Sequence, residues 1–148
     1  MFDAYFSPWS LSRDTHPDGW FKTGDLGHLD REGYLWIDGR EGSVINFGGM
    51  KVFPEEVEAE LKAHPEVFDA LVVGAPDPRW GQRVVAVVQT RGGAPLDADA
   101  LRAFCRGRLA AYKIPRDVVV VPRIERSPAG KADYRWAAEV ARTRPDAA

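Results

Sequence analysis

Phe47-Gly-Gly-Met-Lys-Val-Phe-Pro-Glu-Glu-Val-Glu58 is the stretch on which the reading of this chain turns. The Gly48-Gly49 pair lets the backbone make a tight turn or line a narrow channel for a thin, linear ligand; these residues alone leave both uses open. Pro54 suits the first turn of a helix, where its missing N–H has no intrahelical partner in any case. Glu55 and Glu56 favour the positive end of the helix dipole, and Val57 and Leu61 fall one turn apart on an apolar face. A helix opening at Pro54 is therefore predicted.

Outward from that helix towards the C-terminus, strands and helices alternate. Val67 to Val73 reads as a buried strand closed by Gly74-Ala-Pro-Asp-Pro78, and Val84 to Val88 as a second strand. Asp97 and Asp99 open another helix, with Leu101, Phe104, Cys105 and Leu109 on one stripe. Cys105 is read there as core packing, not as a nucleophile. Val118 to Val121 gives a third strand, and Ala132 to about Arg142 a closing helix. Short strands separated by helices imply a small sheet covered by helices, of α/β or α+β class.

In the other direction, Asp30-Arg-Glu-Gly33 is a turn followed by the β-prone run Tyr34-Leu-Trp-Ile37. With Asp25-Leu-Gly-His-Leu29 it predicts a β-hairpin over about residues 25–38, ended by Asp38-Gly-Arg40. Glu41-Gly42-Ser43 then supplies flexible backbone, so a domain boundary is placed near residues 39–42. Residues 1–39 form one part and 40–148 the other. Met1, Phe2, Tyr5, Phe6 and Trp9 want a surface to bury against, and residues 1 to about 20 lack a helical or strand period. That segment is read as the trailing edge of a larger domain; it would also suit homodimer formation.

Composition narrows the function classes. A formal charge of −2 and a pI near 5.9 give no electrostatic footprint for nucleic acid. No apolar run reaches membrane-spanning length. Cys105 is the single cysteine, and His16, His28 and His64 lack zinc-like spacing, so no metal ligand set is expected. The start of the chain has no basic segment followed by an apolar one, which makes the cytoplasm the default location.

Four places carry candidate chemistry. Thr23-Gly24-Asp25 puts a carboxylate after a glycine at a strand start, either to take both hydroxyls of a sugar diol or to cap its own turn. Arg40 offers planar donors to phosphate or sugar oxygens, or to a surface carboxylate such as Glu41. Arg102, Arg106 and Arg108, placed on one helix before Tyr112-Lys-Ile-Pro115, face either a phosphate or plain solvent. Lys131 ends Ser127-Pro-Ala-Gly-Lys131, a loop whose proline and glycine can project an ammonium towards a carboxylate or phosphoryl oxygen. A solubilising loop lysine is the plain alternative.

Taken in order, Gly19-Trp-Phe-Lys-Thr-Gly-Asp25, Asp38-Gly-Arg40, the stretch from Phe47 to Glu58, Tyr112-Lys-Ile-Pro115 and Ser127-Pro-Ala-Gly-Lys131 resemble the adenylate-forming enzymes. That superfamily includes acyl-CoA synthetases, peptide-synthetase adenylation domains and firefly luciferase; Lys-Val-Phe-Pro and Gly-Lys-Ala-Asp-Tyr-Arg-Trp look most like acyl-CoA ligases. The resemblance implies a small C-terminal lid domain and a two-step reaction using ATP, Mg2+ and CoA, through an acyl-adenylate. By it, Asp25 would hold ribose hydroxyls of ATP or AMP, and Arg40 would contact ribose and phosphate. Lys131 would bridge the substrate carboxylate and the α-phosphate, and Gly48 and Gly49 would border the pantetheine tunnel. Gly42 would be the hinge, where the family commonly has aspartate or lysine. The implied partners are a large N-terminal AMP-binding domain, in the same or a separate chain, and a carboxylic acid. The chain by itself is expected to be inactive. A non-catalytic module that complements or regulates a separate adenylating domain is the second reading.

Overall fold

Val84 to Val88 forms the centre of the fold because every side chain in it finds an apolar partner, whichever face it points to. In the computed structural model, which describes residues 20–127 and 129–143, this run lies in β6 (Gly81–Thr90). β6 pairs antiparallel with β5 (Val67–Asp77) along its whole length, from Val67 opposite Thr90 to Asp77 opposite Gly81. On its other edge it pairs parallel with β7 (Asp117–Val121) and, at Gly81 alone, with β3 (Ile45–Phe47). β4 (Met50–Val52) extends the sheet beyond β3. Val84, Ala86 and Val88 face a core shared with Val57, Leu61, Leu101 and Cys105. Val85 and Val87 face the opposite core, with Ala137 and Ala141. A strand covered on both faces reads as a continuous apolar run rather than an alternation.

Three helices supply the covers. α1 (Pro54–Lys62) and α2 (Ala98–Cys105) lie on one face, and α3 (Tyr134–Thr143) on the other. Each start has a local cause. Pro54 is the first helical residue of α1. Asp97 caps α2, its side chain accepting from the Asp99 and Ala100 N–H groups. Asp133 does the same for α3, accepting from Arg135 and Trp136. Cys105 is fully buried, in keeping with a packing role. The result is a small α+β unit with a mixed sheet.

Two boundaries differ from expectation. β5 continues through Gly74-Ala-Pro-Asp77 because it is an edge strand, where Pro76 loses no ladder bond. α2 ends at Cys105, and Gly107 at φ 84° turns the chain; Leu109 is buried from beyond the helix, not along its stripe. Arg106 and Arg108 therefore leave the helix face they were expected to share with Arg102.

The chain divides into two compact units between Gly42 and Ser43. In the first, β1 (Asp25–Leu29) and β2 (Leu35–Arg40) pair antiparallel, with β2 running on through Asp38-Gly-Arg40. Leu29, Tyr34, Leu35, Trp36 and Ile37 remain largely exposed on this hairpin, as does Trp20. The aromatic segment before Trp20, with Gly19 and His16, lies outside the described residues, as does Pro128. Among the described residues no helix is long and apolar enough to cross a membrane.

A buried carboxylate ties the second unit together. Glu58 on α1 accepts from the edge-strand N–H of Val72 at 2.9 Å and from the Tyr134 hydroxyl at 3.2 Å. Since α1 and α3 cover opposite faces, this bond closes around the edge of β5. Burial pushes Glu58 above its ordinary 4.5, reinforced by Glu55 and opposed by the Val72 and Tyr134 donors and by Lys62. A raised folded-state pKa means that the folded chain holds the proton more tightly. That contribution to stability is complete below the unfolded pKa and is lost as pH rises through the raised value. Urea unfolding of the native chain against Glu58→Gln, from about pH 4 to pH 8, should show the native chain losing ground as pH rises. A native midpoint that gains on the variant over this range would contradict the assignment.

Candidate functional site

Strand pairing brings two of the candidate residues together. Asp25 and Arg40 are Cα partners across the β1–β2 ladder, and Arg40 Nε lies 3.0 Å from Asp25 Oδ1. Their side chains remain 32% and 72% exposed for Asp25 and Arg40, so the pair offers acceptor and donor atoms at the surface. Gly24 at φ 78° leads into the strand, and Thr23 Oγ1 accepts the Asp25 N–H at 3.1 Å. The turn is thus capped by threonine, which leaves the aspartate carboxylate directed to Arg40. Glu41, the alternative partner for Arg40, pairs instead with Lys22 at 3.1 Å.

Gly42 sits in a short 3-10 turn, Glu41–Ser43, at the end of the first unit. A Cβ there would meet nothing within 4 Å, and its backbone lies outside the positive-φ region. Larger residues fit as well, so glycine at this point is not a steric demand.

Gly48 and Gly49 form the tight turn between β3 and β4, with φ 56° and 89°. The two glycines are needed for different reasons. A Cβ on Gly48 would stand 2.7 Å from the Trp80 ring, whereas one on Gly49 would enter open space. The turn is pinned by Gly48 N–H to the Trp80 carbonyl at 2.8 Å and by Gly49 N–H to Asn46 Oδ1 at 3.0 Å. Trp80 stacks on Phe47 at 5.2 Å between centroids, and its own turn is held by the Asp77 carboxylate, which accepts from the N–H groups of Arg79 and Trp80. These donors pull Asp77 below its ordinary range, helped by Arg116 and Arg83.

Beside the glycine turn opens a cleft of about 550 Å³ walled by Phe47, Trp80, Tyr112 and Ile114, with Arg106 and Arg116 at its polar margin. Sequence reasoning grouped the arginines on a helix and missed Trp80. An aromatic in a glycine-bearing turn, Asp77-Pro-Arg-Trp-Gly81, was the available signal.

Lys131 is exposed at the end of a loop closed on itself. Ser127 N–H donates to the Lys131 carbonyl and Gly130 N–H to the Ser127 carbonyl, each at 2.8 Å; Lys131 N–H donates to Ser127 Oγ at 3.1 Å. Gly130 takes φ 75°, as the turn requires. Lys131 and the glycine turn belong to the second unit, and the Asp25–Arg40 pair to the first. Among the described residues no group of three or more histidine, cysteine, aspartate or glutamate side chains is placed to hold a metal ion.

The second unit is thus a small α+β domain that presents a lysine on a tied loop and a bare glycine turn beside an aromatic-lined cleft. The chain belongs to the AMP-binding enzyme C-terminal domain family, whose model matches residues 56–131. It is 53% identical over 122 residues to a medium/long-chain-fatty-acid–CoA/3-oxocholest-4-en-26-oate–CoA ligase of Mycobacterium tuberculosis, covering 82% of this chain. It is 43% identical over 131 residues to an indoleacetate–CoA ligase of Aromatoleum aromaticum, covering 88% of this chain. The chain spans 22% and 26% of the length of these two relatives, respectively. Among solved structures it resembles o-succinylbenzoate CoA synthetase of Bacillus subtilis in complex with its acyl-adenylate intermediate. The TM-score is 0.81 and the identity 40%, over 87% of this chain and 26% of that one.

Proposed function

We propose that this chain is the lysine-bearing lid of an ATP-dependent carboxylate–CoA ligase of the AMP-forming type. Residues 1–39 belong with the edge of a large adenylating domain and residues 40–148 form the lid. The single observation that carries the reading is Lys131, held exposed on a loop whose ends are hydrogen-bonded to each other.

In the first half-reaction a carboxylate oxygen attacks the α-phosphorus of ATP, and pyrophosphate leaves. Lys131 sets its ammonium between carboxylate and α-phosphate and offsets the negative charge that builds there, which is positioning and electrostatics. Asp25 accepts from the ribose hydroxyls, and Arg40 donates to ribose and phosphate oxygens. In the second half-reaction the CoA thiol displaces AMP from the acyl-adenylate. Gly48 and Gly49 border the pantetheine path, where Gly49 adds no side chain to the open space beside it. The neighbouring cleft, with its aromatic walls and Arg106 and Arg116, suits the phosphates and the base of the same thiol carrier. Gly42 serves as the hinge between the two arrangements.

The partner is the large adenylating domain. A two-stranded hairpin is marginal by itself, and one with Leu29, Leu35, Trp36 and Ile37 exposed calls for a covering surface. The test is a chimera in which this chain replaces the matched segment of the mycobacterial relative. CoA ligation within about tenfold of that enzyme is expected, because binding free energies of the swapped surfaces should change by little more than about 1.4 kcal/mol. A folded, monodisperse chimera without ligation would sink the reading.

A further inference from the structure

We propose that Arg126 is a positioning residue: clamped on Asp69, its guanidinium holds the Gly130 carbonyl and thereby fixes the loop that presents Lys131. The functional part of this proposal rests on the reading of Lys131 above; the mechanical part does not.

The arrangement is assembled from residues 57 apart in sequence. β5 begins with an irregularity in its register between Val67 and Asp69. Phe68 is turned out to 57% exposure there, while Asp69 is 9% exposed. Bulges of this kind re-aim a side chain. Asp69 Oδ1 accepts the Ala70 N–H at 2.9 Å, and Oδ2 accepts from Arg126 Nε at 3.1 Å and also from Arg126 Nη2. The remaining nitrogen, Nη1, donates to the Gly130 carbonyl at 3.2 Å. Arg126 also bridges antiparallel to Ala132, so it lies across the neck of the loop.

Arginine suits this place because its planar fork can serve a carboxylate and a carbonyl at once; an ammonium of the same charge has no such spread. The pairing also has an electrostatic use. A second cation at the base of the loop would compete with Lys131 for anions, and the partly buried Asp69 neutralises it. Gly130 is the residue just before Lys131, so fixing its carbonyl fixes the direction in which the lysine leaves the loop.

Amide hydrogen exchange by NMR on the full 148-residue chain tests the brace. In Arg126→Gln and in Asp69→Asn the amides of Ser127, Gly130 and Lys131 should exchange about tenfold faster, with the β6 amides of Val85 and Val87 unchanged. Arg126→Lys, which keeps the charge opposite Asp69 but cannot reach both oxygens, should loosen the loop as well. Unchanged loop amides would overturn the proposal. So would loop amides that rise only in step with Val85 and Val87, because Arg126 would then merely stabilise the fold. In the chimera described above, Arg126→Gln should slow adenylate formation about tenfold while sparing thioester formation from supplied acyl-adenylate; equal loss in both would overturn the positioning role. If Lys131→Ala itself left adenylate formation intact, the reading of Lys131 would fall, and the exchange pattern would still decide the brace.

Discussion

Lys131→Ala, placed in the chimeric ligase, is expected to cut ATP–pyrophosphate exchange by on the order of 10²- to 10³-fold, the usual cost of removing one charge-stabilising group from a transition state. Thioester formation from supplied acyl-adenylate should stay near the parent rate, because the proposed reaction assigns that step to the glycine turn and not to the lysine. The substitution is clean in structural terms. Lys131 is exposed, so truncation should change unfolding free energy by no more than about 0.5 kcal/mol. Arg at this position should restore only part of the rate, since a fork does not occupy the place of a point charge. Equal loss of both half-reactions would count against the role assigned to Lys131.

The opposite pattern is expected from Gly49→Val. A Cβ at this position enters open space, and the proposed path of the thiol runs through that space. Filling it should slow thioester formation by roughly 10²-fold, as a small displacement of a reacting group does, and leave pyrophosphate exchange largely intact. Backbone strain is the competing cause, because Gly49 sits at φ 89° and valine there costs about 1–3 kcal/mol. Gly93→Val supplies the control: it has φ 70° and equally open surroundings, away from the glycine turn. If both variants lose stability and only Gly49→Val loses thioester formation, obstruction is the cause. Thioester formation that survives Gly49→Val would remove the glycine turn from the proposed path.

What could be read from sequence followed from local physics. Pro54 with two glutamates marked the start of α1 and Asp97 that of α2; α3 starts at Tyr134 and not at the expected Ala132, because the Asp133 carboxylate caps it. The apolar runs of β5 and β6 were legible because a strand covered on both faces has no polar positions to confuse the pattern. Punctuation misled where tertiary context overrode it. Gly74-Ala-Pro-Asp reads as a stop, yet an edge strand carries it without loss. Leu109 keeps helical spacing beyond a helix that has already turned at Gly107.

The candidate site was legible only in part, because its order along the chain is local and its geometry is not. Asp25 and Arg40 were found separately; their ion pair depends on hairpin register, which puts Asp25 opposite Arg40. Trp80 against Gly48, and Asp69 against Arg126, join residues far apart in sequence and leave no periodic trace. The bulge that inserts a residue near Phe68 is likewise unmarked, since Val67-Phe-Asp-Ala70 holds no glycine or proline to signal it.

The most direct measurement uses the acyl-adenylate itself as an amine-reactive probe of the chimera, with CoA left out. An amine beside the mixed anhydride attacks its acyl carbon, forms an amide and releases AMP. Of the lysines in this chain, namely Lys22, Lys51, Lys62, Lys113 and Lys131, the acyl group should be found on Lys131, and excess ATP should protect it. Acylation of Lys51 or Lys22 with Lys131 left unmodified would contradict the account.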